Sequence, residues 1–171
     1  MRTWLALPLV CLWSLTGAAA QPMPERPSDD LLTRPALQAV VKAQVDRNGA
    51  LLREKIGADD ADVRARAALA LASVRDTSAI PGLLDLLSDS VPLVRTDAAF
   101  ALAQMPSGVP AAPLLQALRF ERDPSVQRRL IDALGATGDA QSLRDLIRLR
   151  PPPARHSDLA LPIARYGMRG V

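Results

Sequence analysis

Asp60-Ala61-Asp62-Val63-Arg64, Val91-Pro92-Leu93-Val94-Arg95 and Asp123-Pro124-Ser125-Val126-Gln127 decide the fold. The second follows the first by 31 positions and the third follows the second by 32. The apolar residues behind them move in step. Val63, Ala67, Ala70, Leu71 and Val74 become Val94, Ala98, Ala101, Leu102 and Met105, then Val126, Leu130, Ala133, Leu134 and Thr137. Within a copy these offsets are 4, 7, 8 and 11, which trace one stripe of an α-helix. A second stripe follows each first: Ile80, Leu83, Leu84 and Leu87, then Ala111, Leu114, Leu115 and Leu118, then Leu143, Leu146, Ile147 and the deviant Arg150. Each unit therefore reads as two amphipathic helices, A then B.

Stepping back 31 residues from the first unit reaches Leu32, Ala36, Ala39, Val40 and Ala43, with Leu52 and Ile56 on a partner helix. This predicts a fourth copy whose A helix Pro35 delays. Asp60 and Asp123 are expected to cap A helices, and Pro92 and Pro124 stand at first helical positions, where the missing N–H costs nothing. Gly135 and Gly138 are expected to end the last A helix, and Asp139 to start a B helix. Alanines recur on the A stripe, where small side chains let helices approach closely. No run of alternating β-branched residues is present. The fold class is all-α: an α-solenoid of about four stacked antiparallel helix pairs, in which no pair buries its stripe alone.

The quoted residues resemble HEAT repeats, most closely the short variety named after phycobilisome lyases, with its Asp-Pro, Val-Arg, Ala-Leu and Pro-Leu-Leu pattern. The resemblance spans roughly Asp29 to Arg150. Gln127 stands where that pattern has Arg, and Pro106-Ser107-Gly108 where it has a Gly-Asp turn. The resemblance implies a binding scaffold, and the fold alone names no ligand.

The flanks read differently. Arg2 is the only charge before Glu25, and an apolar run from Trp4 to Leu15 leads to Thr16-Gly17-Ala18-Ala19-Ala20. Residues 1–20 are expected to be a secretory signal cut before Gln21, since the run is shorter than the roughly 20 residues that span a bilayer. Cys11 lies mid-run behind Pro8-Leu9-Val10, which does not suit acylation. Cleavage would remove Trp4, Trp13 and the sole Cys, and would exclude disulfides and thiolate metal sites from the mature chain. The expected compartment is periplasmic or extracellular. Residues 21–28, with Pro22, Pro24 and Pro27, read as a linker, and 29–150 as the repeat array. Residues 151–171 read as a Pro-rich break and a partial repeat helix through Leu159, Leu161, Ile163 and Tyr166.

That partial helix, lacking a B partner, suggests that the sequence is the front part of a longer protein. The first unit and the stretch Ala164-Arg165-Tyr166-Gly167-Met168-Arg169-Gly170 look similar to exported bacterial HEAT proteins, some of which carry a cyclophilin-type peptidyl-prolyl isomerase domain. The alternative function is thus the repeat portion of such an isomerase, with its catalytic domain outside these residues.

Of the 171 residues, 49% are apolar and 3% aromatic, and the net charge is only +3. That charge argues against a nucleic-acid surface. His156 is the sole histidine, which excludes the His-Glu pairs of HEAT-fold metal hydroxylases, and Arg155-His156-Ser157-Asp158 has no oxyanion loop beside it. Neither Lys42 nor Lys55 follows a glycine cluster that could cradle phosphate. Asp59, Asp60 and Asp62 lack the order of a calcium loop and suit capping. No catalytic residue, cofactor or metal is expected, and no mature stretch is apolar enough to span a membrane.

The expected partner is a protein or peptide on the concave face, lined by B helices. Equivalent outward positions there read Glu54, Asp85, Gln116 and Arg148, with Arg144 one turn before the last. With helix layers roughly 10 Å apart, Glu54 and Arg148 stand about 30 Å from each other, so the face grades from acidic to basic.

Overall fold

The computed structural model describes residues 33–137 together with 144, 145 and 148. Seven α-helices of the array fall within 33–137: α1 (Pro35–Val45), α2 (Gly49–Lys55), α3 (Ala61–Val74), α4 (Ile80–Asp85), α5 (Pro92–Gln104), α6 (Ala111–Phe120) and α7 (Pro124–Thr137). Short 3₁₀ turns, Thr77–Ala79 and Leu86–Ser88, flank α4. No strand occurs among the described residues, and none of their helices is long and apolar enough to cross a membrane. The all-α solenoid expected from the repeat is what forms. The expected leader 1–20 and linker 21–28, Leu32, Gly138, Asp139, Leu143, Leu146, Ile147, Arg150 and residues 151–171 lie outside the described residues.

The odd-numbered helices are the A helices, and they build the core. α3 packs against α1 and α5, and α5 packs in turn against α7. Their contact faces are rich in alanine: Ala65, Ala67, Ala68, Ala70 and Ala72 on α3, and Ala98, Ala99 and Ala101 on α5, are all buried. Between them sit the fully buried Leu71, Leu102, Leu130 and Leu134. Each B helix leans on the A helix that follows it. Ile56, at the end of α2, packs closely on Gly82 of α4, whereas the B side is open between α4 and α6.

Local chemistry sets the boundaries. Asp60 accepts from the Asp62 N–H at 3.0 Å, Asn48 from the Leu51 N–H at 3.1 Å and Asp123 from the Ser125 N–H at 2.8 Å, so three helices begin on a side-chain cap. Pro35, Pro92 and Pro124 open α1, α5 and α7. Gly108, at φ +84°, turns the chain from α5 toward α6. Two expectations need correction. Gly135 does not end α7; the helix runs on to Thr137, because Ala133, Leu134 and Gly135 remain buried in one continuous turn. In α1 the buried residues are Leu37, Val40 and Ala43, and Ala36 is exposed. Pro35 starts the helix late, and the larger Leu37 takes the inward position.

Candidate functional site

The open B side forms a groove of about 790 Å³ between α4 and α6. α4 and its following turn supply Pro81, Leu84, Asp85, Leu87, Ser88 and Asp89. The opposite wall carries Pro113, Gln116, Ala117 and Phe120 of α6, then Glu121 and Arg122. Arg95, from α5, lies at the base.

That base is a rung of a ladder. Arg95 grips the Glu121 carboxylate with two N–H donors, at 2.7 and 3.0 Å, and donates Nη1 to the Asp89 and Ser90 carbonyls at 2.8 and 3.3 Å. One unit earlier, Arg64 grips Asp89 at 2.8 and 3.1 Å and donates Nη1 to the Ala58 and Asp59 carbonyls at 2.8 and 2.7 Å. In the third copy Gln127 keeps the carbonyl contact, to Glu121 at 2.6 Å, without a charge. A planar guanidinium suits this position because its fork satisfies a carboxylate and two carbonyls together.

The ladder also fixes what the groove can do chemically. The Arg64 hydrogen bonds hold the Asp89 carboxyl below its ordinary range, against the opposing effect of burial. Burial pushes Glu121 upward, but Arg95 and the backbone N–H groups of Asp123 and Arg122 outweigh it, so its carboxyl is also depressed. Both acids are ionised and fully engaged. Neither is placed to act as a general acid, and no cluster able to hold a metal ion occurs among the described residues. What the groove presents outward is Asp85, Ser88, Gln116 and Arg122 with the apolar surface of Leu84 and Phe120, a mix of polar and apolar contacts suited to a chain.

Across α6 lies a second groove of about 610 Å³, lined by Leu115, Gln116, Arg119, Phe120, Asp145 and Arg148. Gln116 and Phe120 form the ridge common to both. The residues expected to share one graded face are thus divided. Asp85 and Gln116 line the first groove, and Gln116 and Arg148 the second. Glu54 lines neither and pairs with Lys55 at 2.9 Å. Arg144 is exposed and lines neither groove, while Arg148 lies 3.5 Å from Asp145. Sequence reasoning missed Phe120 and its neighbours Arg119 and Arg122. The available signal was one phenylalanine at a helix end in a chain where aromatics are 3%.

Residues 49–119 match the family model for HEAT repeats. The matched stretch runs from the start of α2 into the last turn of α6 and includes both helices that wall the first groove. HEAT repeats generally serve as protein-interaction scaffolds. No curated protein matches the chain.

Proposed function

We propose that this chain is an exported, non-catalytic helical-repeat scaffold that binds a protein or peptide on its B-helix face. The observation that carries the reading is the pair of grooves meeting at Phe120, on a HEAT-like array whose A side is closed by alanine packing. Export rests on the apolar run before Ala20, and the short HEAT variety on the repeat of 31–32 residues. A photo-crosslinking residue placed at Asp85 or Gln116 should trap a discrete partner in the producing cell, while the same residue at Leu93 or Gln104, exposed on α5, should not. Equal trapping from both sets of positions overturns the reading. Export is checked separately, by finding Gln21 at the amino terminus of the mature protein.

A further inference from the structure

Val45, Leu93 and Phe120 are the large apolar side chains left exposed among the described residues, and Phe120, at 73%, is the one that lines a groove. Two exposed guanidiniums flank it. Arg119 lies on its second-groove side and Arg122 on its first-groove side, and both are exposed. The carboxylates nearby are already committed. Asp89 is held by Arg64, Glu121 by Arg95, Asp123 caps α7 through Ser125 and Val126, and Asp145 neighbours Arg148. Neither the Arg119 nor the Arg122 guanidinium forms an ion pair among the described residues. The remaining acid, Asp85, stands on the opposite wall of the first groove.

We infer that Phe120, flanked by Arg119 and Arg122, is the docking point for an extended segment of a partner protein carrying a large apolar side chain between acidic residues. The inference rests on the protein-binding reading above and names the chemistry of its partner. Apolar contact on the ring supplies the anchor, and two guanidiniums on either side select carboxylates and fix the segment's position. Asp85 requires the part of the segment that crosses to the α4 wall to be neutral or basic. Because both guanidiniums are solvent-exposed, the charge selection weakens as salt rises.

A random peptide library displayed on phage, panned against the purified full chain, tests this. The enriched peptides should share an aromatic or leucine residue with aspartate or glutamate beside it. A synthetic peptide of that pattern should bind at least roughly tenfold more weakly to the Arg119→Glu/Arg122→Glu double variant and to Phe120→Ser. Gln104→Glu, on the far layer, should bind it normally. All four positions are exposed, so the variants should keep the helical circular dichroism of the parent. Enrichment of basic or uncharged peptides, or of acidic ones indifferent to Arg119 and Arg122, overturns this inference and leaves protein binding standing. Enrichment of no peptide overturns both.

Discussion

Arg95 shows how much a single side chain organises here. Its side chain is 16% exposed and that of its partner Glu121 7%, so removing the arginine strands a carboxylate with little access to water. Arg95→Ala should cost about 3 kcal/mol in urea unfolding. Arg34→Ala should cost less than about 1 kcal/mol, although Arg34 pairs with both Asp60 and Asp62, because those carboxylates stay in solvent. Equal costs would remove the ladder as a stabilising feature. Asp97 behaves oppositely to Glu121. Burial raises its carboxyl to about 6, against the pull of Arg129 and Arg66. A carboxyl raised above its unfolded value is penalised once ionised: the penalty is absent below about pH 3.8, grows between there and pH 6, and is complete above. Asp97→Asn should therefore gain about 1–2 kcal/mol over the parent at pH 7, and nothing at pH 3.5, in denaturation measured across pH. Asp89 and Glu121 contribute stability above their ordinary carboxylate range, and that part is lost as the pH falls through their depressed values. The ladder's arginines were visible in the repeat, but their partners were not. The acids lie 25 and 26 residues downstream, and change from Asp to Glu between copies.

Helices with two neighbours differ from helices with one. The expected stripe of α3 and α5 is buried except for the half-buried Val74, yet Ala65, Ala68 and Ala72 of α3 and Ala99 of α5 are buried too. They form the second contact face of a helix held between two A helices, which a one-stripe pattern does not contain. In α1, with one A-helix neighbour among the described residues, the buried set shrinks to three residues. Periodicity thus revealed each helix and its principal face, while the number of buried faces depended on position in the stack. The mistaken end at Gly135 has a related cause, since burial in the stack keeps a glycine helical that its propensity would release. The connection between α5 and α6 depends on a different glycine. Gly108 has φ +84°, which L side chains rarely adopt, and Ile80 Cδ1 lies at 3.5 Å from where a Cβ would stand. Space is adequate, so backbone strain decides the outcome. Gly108→Ala should lower stability by roughly 1 kcal/mol, with the helix content unchanged in circular dichroism. A neutral or stabilising result would mean that this turn relaxes into another conformation.

Because the main contacts of each A helix are with its neighbours along the array, stability along the described residues is a sum of local interfaces. The ladder follows the same order, with Arg64 joining one loop to the next and Arg95 repeating the step. The charged chain of links ends at Gln127, where a carbonyl contact remains and the carboxylate grip is gone. Opening should include a step inward from α1, which has one A-helix neighbour among the described residues. Removing α1 exposes one A–A interface, whereas releasing α5 breaks two A–A interfaces and a bidentate ion pair. Native-state hydrogen exchange should find the slowest amides in the middle turns of α3 and α5, around Ala70, Leu71, Ala101 and Leu102, and faster ones in α1 around Val40. Phe120 lies exposed at the end of a B helix whose main packing among the described residues is against α7, so its amide should exchange faster than those of α5. That gradient suits a binding ridge, which can adjust without disturbing the alanine-packed layer beneath. If α1 and α5 exchanged at the same rate through one global opening, the array would be a single cooperative unit, and the independence of ridge and layer would be lost.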